Sequence, residues 1–371
     1  VTHRWIEIDL KQFAANVKAI RRELKPSESF MAVVKFNAYG HGLSAICETL
    51  AAQSLCESVG VWSLEEACEV DKIFSGFGKT PNITLLAPAV ADQEALAWGI
   101  RRGVVFDVDS RERANFLIQT ARRTKCVVRV ALDVDFGLAR WGVLPKEVME
   151  LMLTTLKNSC IQMAGITTHV DYVPGLHKTE AQAKLAQFFK IAQQVEYGCA
   201  RAFLKSCANT TVFLDFPKYR GDRVRLGNLI YGVNPTAADF PVKNIWTFKA
   251  RILSIRRVRR GEAIGYGGEH LALGNMRVAS IACGFADGLT VEPAHRFIRL
   301  GAPAKYWARF QGKNLPIVGR VGMGHSILDV TRVPGIRVGD VVDLPVRRTA
   351  ASGSIPRIYI KEGELPSLKL S

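Results

Sequence analysis

Residues 31–42 read Met31-Ala32-Val33-Val34-Lys35-Phe36-Asn37-Ala38-Tyr39-Gly40-His41-Gly42. The opening run is apolar and short, the pattern of a buried strand rather than a helix. The strand expected over 31–35 ends on a charged side chain, Lys35. Residues 43–52 then read as a helix. A buried strand leading into a helix is one β/α unit.

The same unit recurs downstream. Further strands are expected at 58–61, 82–86, 103–107, 126–132, 162–168, 202–205 and 222–226. Helices fall between them. One opens at Ser63 with the spacing of a capping box. Others are expected near 91–101 and 177–197. Eight strand–helix units within about 230 residues match a (β/α)8 TIM barrel, typically ~250 residues. After residue 236 helical periods fade. Val-, Ile- and Arg-rich strands alternate with glycine turns, as in 247–258, 276–283, 316–321 and 338–342. The expected class is therefore α/β, a TIM barrel followed by a mainly β C-terminal domain. The boundaries expected are a strand in 1–9 that pairs with the C-terminal domain, a barrel over 10–236, and a β domain over 237–371.

Composition limits the function classes. The chain has 371 residues, 48% hydrophobic and 23% charged, which excludes a disordered or fibrous protein. Its longest apolar runs are strand-length, so no membrane span is expected. The start, Val1-Thr2-His3-Arg4-Trp5-Ile6-Glu7, does not read as a signal peptide. Lys plus Arg number 50 and Asp plus Glu 34, so the net charge is 50 − 34 = +16, which favours anionic ligands. Eight cysteines occur without a CxxC pair or zinc spacing, which indicates free thiols, no metal and a cytoplasmic setting.

Barrel enzymes carry their chemistry at the C-terminal ends of the strands. Lys35 ends the first barrel strand. Buried there, its ammonium would lose hydration and its pKa would fall, as a Schiff-base lysine requires. The plainer reading is a lysine snorkelling to water. His169 follows the sixth strand, Asn209-Thr210-Thr211 the seventh, and Arg225-Leu226-Gly227-Asn228 the eighth. The loops after strands seven and eight are this fold's usual phosphate site, with Thr210 and the backbone at Gly227 suited to an anion. A strand-end lysine beside a phosphate site points to pyridoxal phosphate.

At this point the chain resembles the alanine racemase family along nearly its whole length. Val33 to Gly42 is similar to that family's cofactor-lysine motif. Asp135-Phe136-Gly137-Leu138-Ala139-Arg140-Trp141-Gly142, Thr168-His169, Ala208-Asn209-Thr210 and Val224 to Gly232 follow in the family's order. So do Gly265-Tyr266-Gly267, Phe285-Ala286-Asp287-Gly288, Val318 to Met323 and Pro356-Arg357-Ile358-Tyr359. The resemblance implies an amino-acid racemase, most simply one interconverting L- and D-alanine, using pyridoxal 5'-phosphate in a homodimer with shared active sites. It implies that Lys35 holds the cofactor and serves as one proton base. The second base would be Tyr266 of the partner subunit, with His169 and Arg225 behind it. Arg225 would face the cofactor's ring nitrogen; an arginine does not give up its proton. Tyr39, Asn209, Thr210, Gly227, Asn228 and Tyr359 would bind the cofactor. Arg140 would bind cofactor and substrate carboxylate, with Met323 lining the carboxylate pocket.

Four positions depart from the family pattern. Asp133 stands where a carbamylated lysine is common, and could replace that anion beside Arg140, although Asp135 could compete for the same guanidinium. Gly324 stands in place of an aspartate, Phe285 in place of a tyrosine and Phe36 in place of a small residue. These changes bear on the substrate, not on the cofactor chemistry. The alternative function is a decarboxylase or lyase on the same scaffold. Arg225 argues against decarboxylation and Tyr266 for two-base racemisation. The basic cluster Arg251, Arg256, Arg257, Arg259 and Arg260 comes with no nucleic-acid motif, so no nucleic-acid partner is expected.

Overall fold

The structure is a computed structural model that describes residues 2–90, 92–268, 270–289 and 307–361. The chain divides into two compact units, Gln12–Asn244 and Val1–Lys11 with Ile245–Ser371. β1 (Arg4–Asp9) belongs to the second unit, where it pairs antiparallel with the long strand Trp246–Val258 and parallel with Arg357–Ile360.

The first unit is the barrel. Its strands are β2 (Ser29–Val33), β3 (Ser58–Val61), β4 (Asn82–Leu85), β5 (Val105–Val108), β6 (Val128–Val134), β7 (Ile161–Thr168), β8 (Leu204–Ser206) and β9 (Arg223–Leu226). They run parallel in the order β8-β7-β6-β5-β4-β3-β2-β9. No ladder joins β8 to β9. That seam is closed instead by single bridges, Ser206 to Gly221 and Ala208 to Val224. The Arg225 N–H donates to Ala208 O at 2.8 Å, and Ser206 Oγ donates to Arg223 O at 3.0 Å.

Helices pack outside because their apolar residues recur on one stripe. In the first, Leu10–Arg22, the residues Leu10, Phe13, Ala14, Val17 and Ile20 are buried and Arg21 and Arg22 end the last turn. Burial of a side chain such as Phe13 contributes roughly 2–3 kcal/mol. Between strands, N-caps start the helices: Ser63, Asp92 and Ser110 each accept from backbone N–H groups of the first turn. β2 stops at Val33, two residues short of the expected end at Lys35, because the backbone then turns left-handed.

The second unit is a β domain. β10 (Trp246–Val258) carries a bulge between Ile252 and Ser254. Its first part pairs with Val341–Leu344 and its second part with Met276–Ile281. The order of the remaining strands closes this sheet into a ring, so the bulge lets one strand serve two neighbours. Val258, Ile264, Ala272, Val278 and Val318 form a core cluster within it. Among the described residues, no helix is long and apolar enough to cross a membrane.

Candidate active site at the mouth of the barrel

Lys35 is the last residue before an unusual turn. Phe36, Asn37, Ala38 and Tyr39 all have positive φ, at 53°, 53°, 52° and 56°. A left-handed turn costs about 1–2 kcal/mol per non-glycine residue. Several contacts offset that cost. The Ala38 N–H donates to Val34 O at 2.7 Å and the Gly40 N–H to Phe36 O at 3.0 Å. Glu66 accepts from the backbone of Asn37 at 3.1 Å and of Trp62 at 2.8 Å. Asn37 Oδ1 accepts from the Leu43 N–H at 2.6 Å. His41 is fully buried, stacked on Tyr231 at 4.4 Å, and the Tyr231 hydroxyl donates to Val33 O at 3.0 Å. Backbone strain of this kind concentrates at functional sites.

The turn carries Tyr39 towards the end of β9. A Cβ added at Gly227 would lie 2.4 Å from Tyr39 Oη, so only glycine admits this approach. After β8, Asn209 caps a short helix, its side chain accepting from the Val212 N–H at 3.0 Å. Thr210, its first residue, is buried. Arg225 on β9 is anchored by two donations, Nη1 to Thr167 Oγ1 at 2.6 Å and Nη2 to Thr168 O at 2.5 Å. It makes no ion pair with Asp215 or Asp222; those acids engage Tyr172 and Lys205.

These groups meet in one cavity of about 200 Å³. Lys35, Tyr39, Arg140, His169, Asn209, Thr210, Arg225, Gly227 and Asn228 all line it. Lys35 Nζ lies 4.8 Å from the Trp62 ring centre. Burial, then the charges of Arg140 and Arg225, hold its pKa below the ordinary lysine value, with Glu66 opposing. His169 is pushed down to about 3 by burial first and then by Arg225, Arg140 and Lys35. It is therefore a neutral ring, 3.5 Å from Asn209 Nδ2.

Asp133 lies on β6 and lines the same cavity, 5% exposed. Burial raises its pKa to about 7, with the charges of Arg225 and Arg140 opposing. Asp135 does not compete for Arg140. Its carboxylate accepts from the backbone N–H groups of Gly137, Leu138 and Ala139 at 2.9, 2.9 and 3.1 Å and so holds the loop. Arg140 stacks its guanidinium on Trp141 at 3.9 Å. Phe36 is exposed and packs on Trp62 at 4.8 Å. Sequence reasoning missed Asp107 on β5, which also lines the cavity and is 3% exposed. The signal was an acid inside the apolar run Val104-Val105-Phe106-Asp107-Val108. It also missed Thr167 as the anchor of Arg225.

Three expected site residues belong to the β domain. Tyr266 opens a turn between Gly265 and Gly267, both at positive φ, and is 60% exposed. Its ring lies 5.7 Å from that of His325. Met323 is exposed, and Tyr359 pairs in register with Ile8.

A parallel barrel with polar and charged groups gathered at the C-terminal mouth of its strands defines a (β/α)8 enzyme. Comparison with known proteins narrows the class. The family described as alanine racemase, N-terminal domain, matches residues 8–235, and its C-terminal domain matches residues 245–355. Alanine racemase 2 of Clostridium acetobutylicum is 34% identical over 292 residues, covering 76% of this chain and 71% of that protein. Alanine racemase of Desulfovibrio desulfuricans is 26% identical over 381 positions, covering 96% and 98%. The crystal structure of biosynthetic alanine racemase from Pseudomonas aeruginosa superimposes with a TM-score of 0.83 at 22% identity, covering 97% of this chain and 100% of that one. A Bartonella henselae alanine racemase with covalently bound pyridoxal phosphate gives 0.83 at 23% identity, with the same coverage. This chain belongs to the alanine racemase family, a family of pyridoxal-phosphate-dependent isomerases.

Proposed function

We propose that this protein interconverts L- and D-alanine with pyridoxal phosphate, as a cytoplasmic homodimer. The observation that carries the reading is the meeting of Lys35, Arg225 and the Tyr39–Gly227 approach in one cavity of a chain of this family. The residues present fit the cofactor. Tyr39 and Thr210 offer hydroxyls to a phosphate, and Gly227 keeps clear the space that a side chain would fill. Asn209 and Asn228 complete that end, and Arg140 and Arg225 add positive charge. Lys35 is the attachment point, with His169 neutral beside it; Tyr359 is assigned from the family pattern.

When bound, the cofactor draws electrons from the substrate Cα and so acidifies its C–H. The protein's part is proton handling and orientation. Lys35 Nζ, with its lowered pKa, takes or returns a proton on one face. The phenol of Tyr266 of the partner subunit serves the opposite face. Arg225 keeps its proton and donates none to what it faces. Arg140 meets the substrate carboxylate, and Met323 bounds that pocket. A decarboxylase or lyase reading is not favoured: a fixed arginine in place of an acid does not supply the protonated ring that decarboxylation uses.

The test is incubation of purified protein with pyridoxal phosphate and L-alanine in heavy water. D-alanine carrying deuterium at Cα is expected, without gas evolution. Absence of D-alanine, or carbon dioxide release matching substrate loss, overturns the reading.

A further inference from the structure

Two buried acids on neighbouring strands line the cavity. Asp107 on β5 is in register with Ala131, so Asp133 lies two positions further along β6 on the same inward face. Their exposures are 3% and 5%. Neither forms an ion pair among the described residues. Asp107 Oδ1 is shut from solvent and has no hydrogen-bond partner. Thr84 Oγ1 is in the same condition, and both residues line a second cavity of about 30 Å³. That space is on the scale of one water molecule.

We propose that Asp107 and Asp133 act as one acid pair, with Asp107 kept protonated at neutral pH as a positioning residue, so that the negative charge the pair offers Arg140 and Arg225 comes from Asp133. A buried carboxylate without a partner takes up a proton rather than remain charged. The nearby cations Arg225 and Arg140 favour its charged form but do not pair with it, and burial outweighs them. Arg225 spends two of its donors on Thr167 and Thr168, and Arg140 lies against Trp141. Other charged or titratable groups also face the pair: Arg223 on β9 lines the small cavity with Asp107 and donates Nε to Ser29 Oγ at 3.3 Å. Asp109, at the end of β5, is engaged by Arg113 at 3.6 Å. His169 is neutral, and Lys35 stands across the cavity. Burial and the charge of Asp133 both push Asp107 upward, in agreement with the geometry.

The consequence is a charge balance. Two ionised acids would cancel the two guanidiniums. One ionised acid leaves one positive charge in excess, available to the carboxylate of an amino acid. Asp107 would then release its proton to solvent at alkaline pH and remove that excess. This consequence for substrate affinity rests on the racemase reading; the protonation of Asp107 does not.

The experiment uses the full chain carrying 13Cγ-labelled aspartate, titrated by NMR between about pH 5 and pH 9. Two carboxyl signals are expected to titrate above the ordinary carboxylate range, and the one that stays protonated to the higher pH should be missing from Asp107→Asn. In Asp133→Asn, which retains Asp107, the same signal should titrate at lower pH. In parallel, KM for L-alanine should rise several-fold towards alkaline pH in the wild type. That rise should flatten in Asp107→Asn, with the change falling on KM more than on kcat. If every aspartate titrates in the ordinary carboxylate range, or Asp133→Asn leaves the signal unmoved, the acid pair is overturned. A KM rise that persists unchanged in Asp107→Asn overturns its positioning role. A protein that shows the protonated signal but makes no D-alanine keeps the pair and loses the racemase reading.

Discussion

Between pH 6.5 and 3 an unfolded chain protonates its histidines, while the buried His169 ring stays neutral. The unfolded state then binds more protons, so His169 makes folding less favourable as pH falls. The effect is absent above pH 6.5 and approaches about 1.4 kcal/mol per pH unit below it. His169→Asn should therefore flatten part of the acid loss of stability, measured as urea midpoints against pH. An equal slope in both proteins would show that the ring gains its proton freely. Lys35→Ala should lose turnover, and borohydride, which should bleach the yellow colour of the wild type and leave the cofactor permanently attached, should attach none to the variant. Tyr266→Phe should keep the colour and block deuterium exchange from one enantiomer far more than from the other. Lys35 could be named from the sequence because the segment Val33 to Gly42 resembles the family's cofactor-lysine motif; a cation after an apolar run would by itself read as a lysine snorkelling to water. Asp107 could not be placed in the same way. An acid in a run of buried residues is visible, but β5 is buried at every position, so no alternation of polar and apolar residues shows which side of the sheet that acid faces.

At the scale of single elements, the left-handed turn after Lys35 shows tertiary structure overriding local preference. Asn37, Gly40 and Gly42 tolerate positive φ; Phe36, Ala38 and Tyr39 do not favour it. What holds them is distant in sequence: Glu66 at the start of the helix after β3 and Tyr231 beyond β9. No pattern within 36–39 announces those partners. Asn37→Ala removes the side-chain acceptor for the Leu43 N–H and should lower stability by about 1–2 kcal/mol, read from thermal or urea unfolding. Gly227→Ala would force Tyr39 aside. Equilibrium titration with pyridoxal phosphate should show affinity falling at least about tenfold, the equivalent of 1.4 kcal/mol. Retained affinity would show that the close approach is not part of the cofactor cradle.

For the molecule as a whole, the barrel was legible because strands buried on both faces read as apolar runs, and eight of them alternate with helices. The β domain was legible as a class but not in its pairing. A bulge between Ile252 and Ser254 splits β10 between two neighbours, and nothing in the residues Leu253-Ser254 marks it. Since the proposed second base comes from the partner subunit, specific activity should fall on dilution below the dimer constant and return on concentration. Constant specific activity in a monomer, verified by sedimentation, would remove Tyr266 from its role. The missing ladder between β8 and β9 has a mechanical consequence. This gap is the staves' weakest joint, held by isolated bridges, and its two lips continue into Asn209–Thr210 and Gly227–Asn228. An anion gripped by both lips would act as a clasp across the joint. Amide hydrogens at 204–208 and 221–226 should therefore exchange fastest among the barrel strands, and slow more than the rest once phosphate-bearing ligand is supplied.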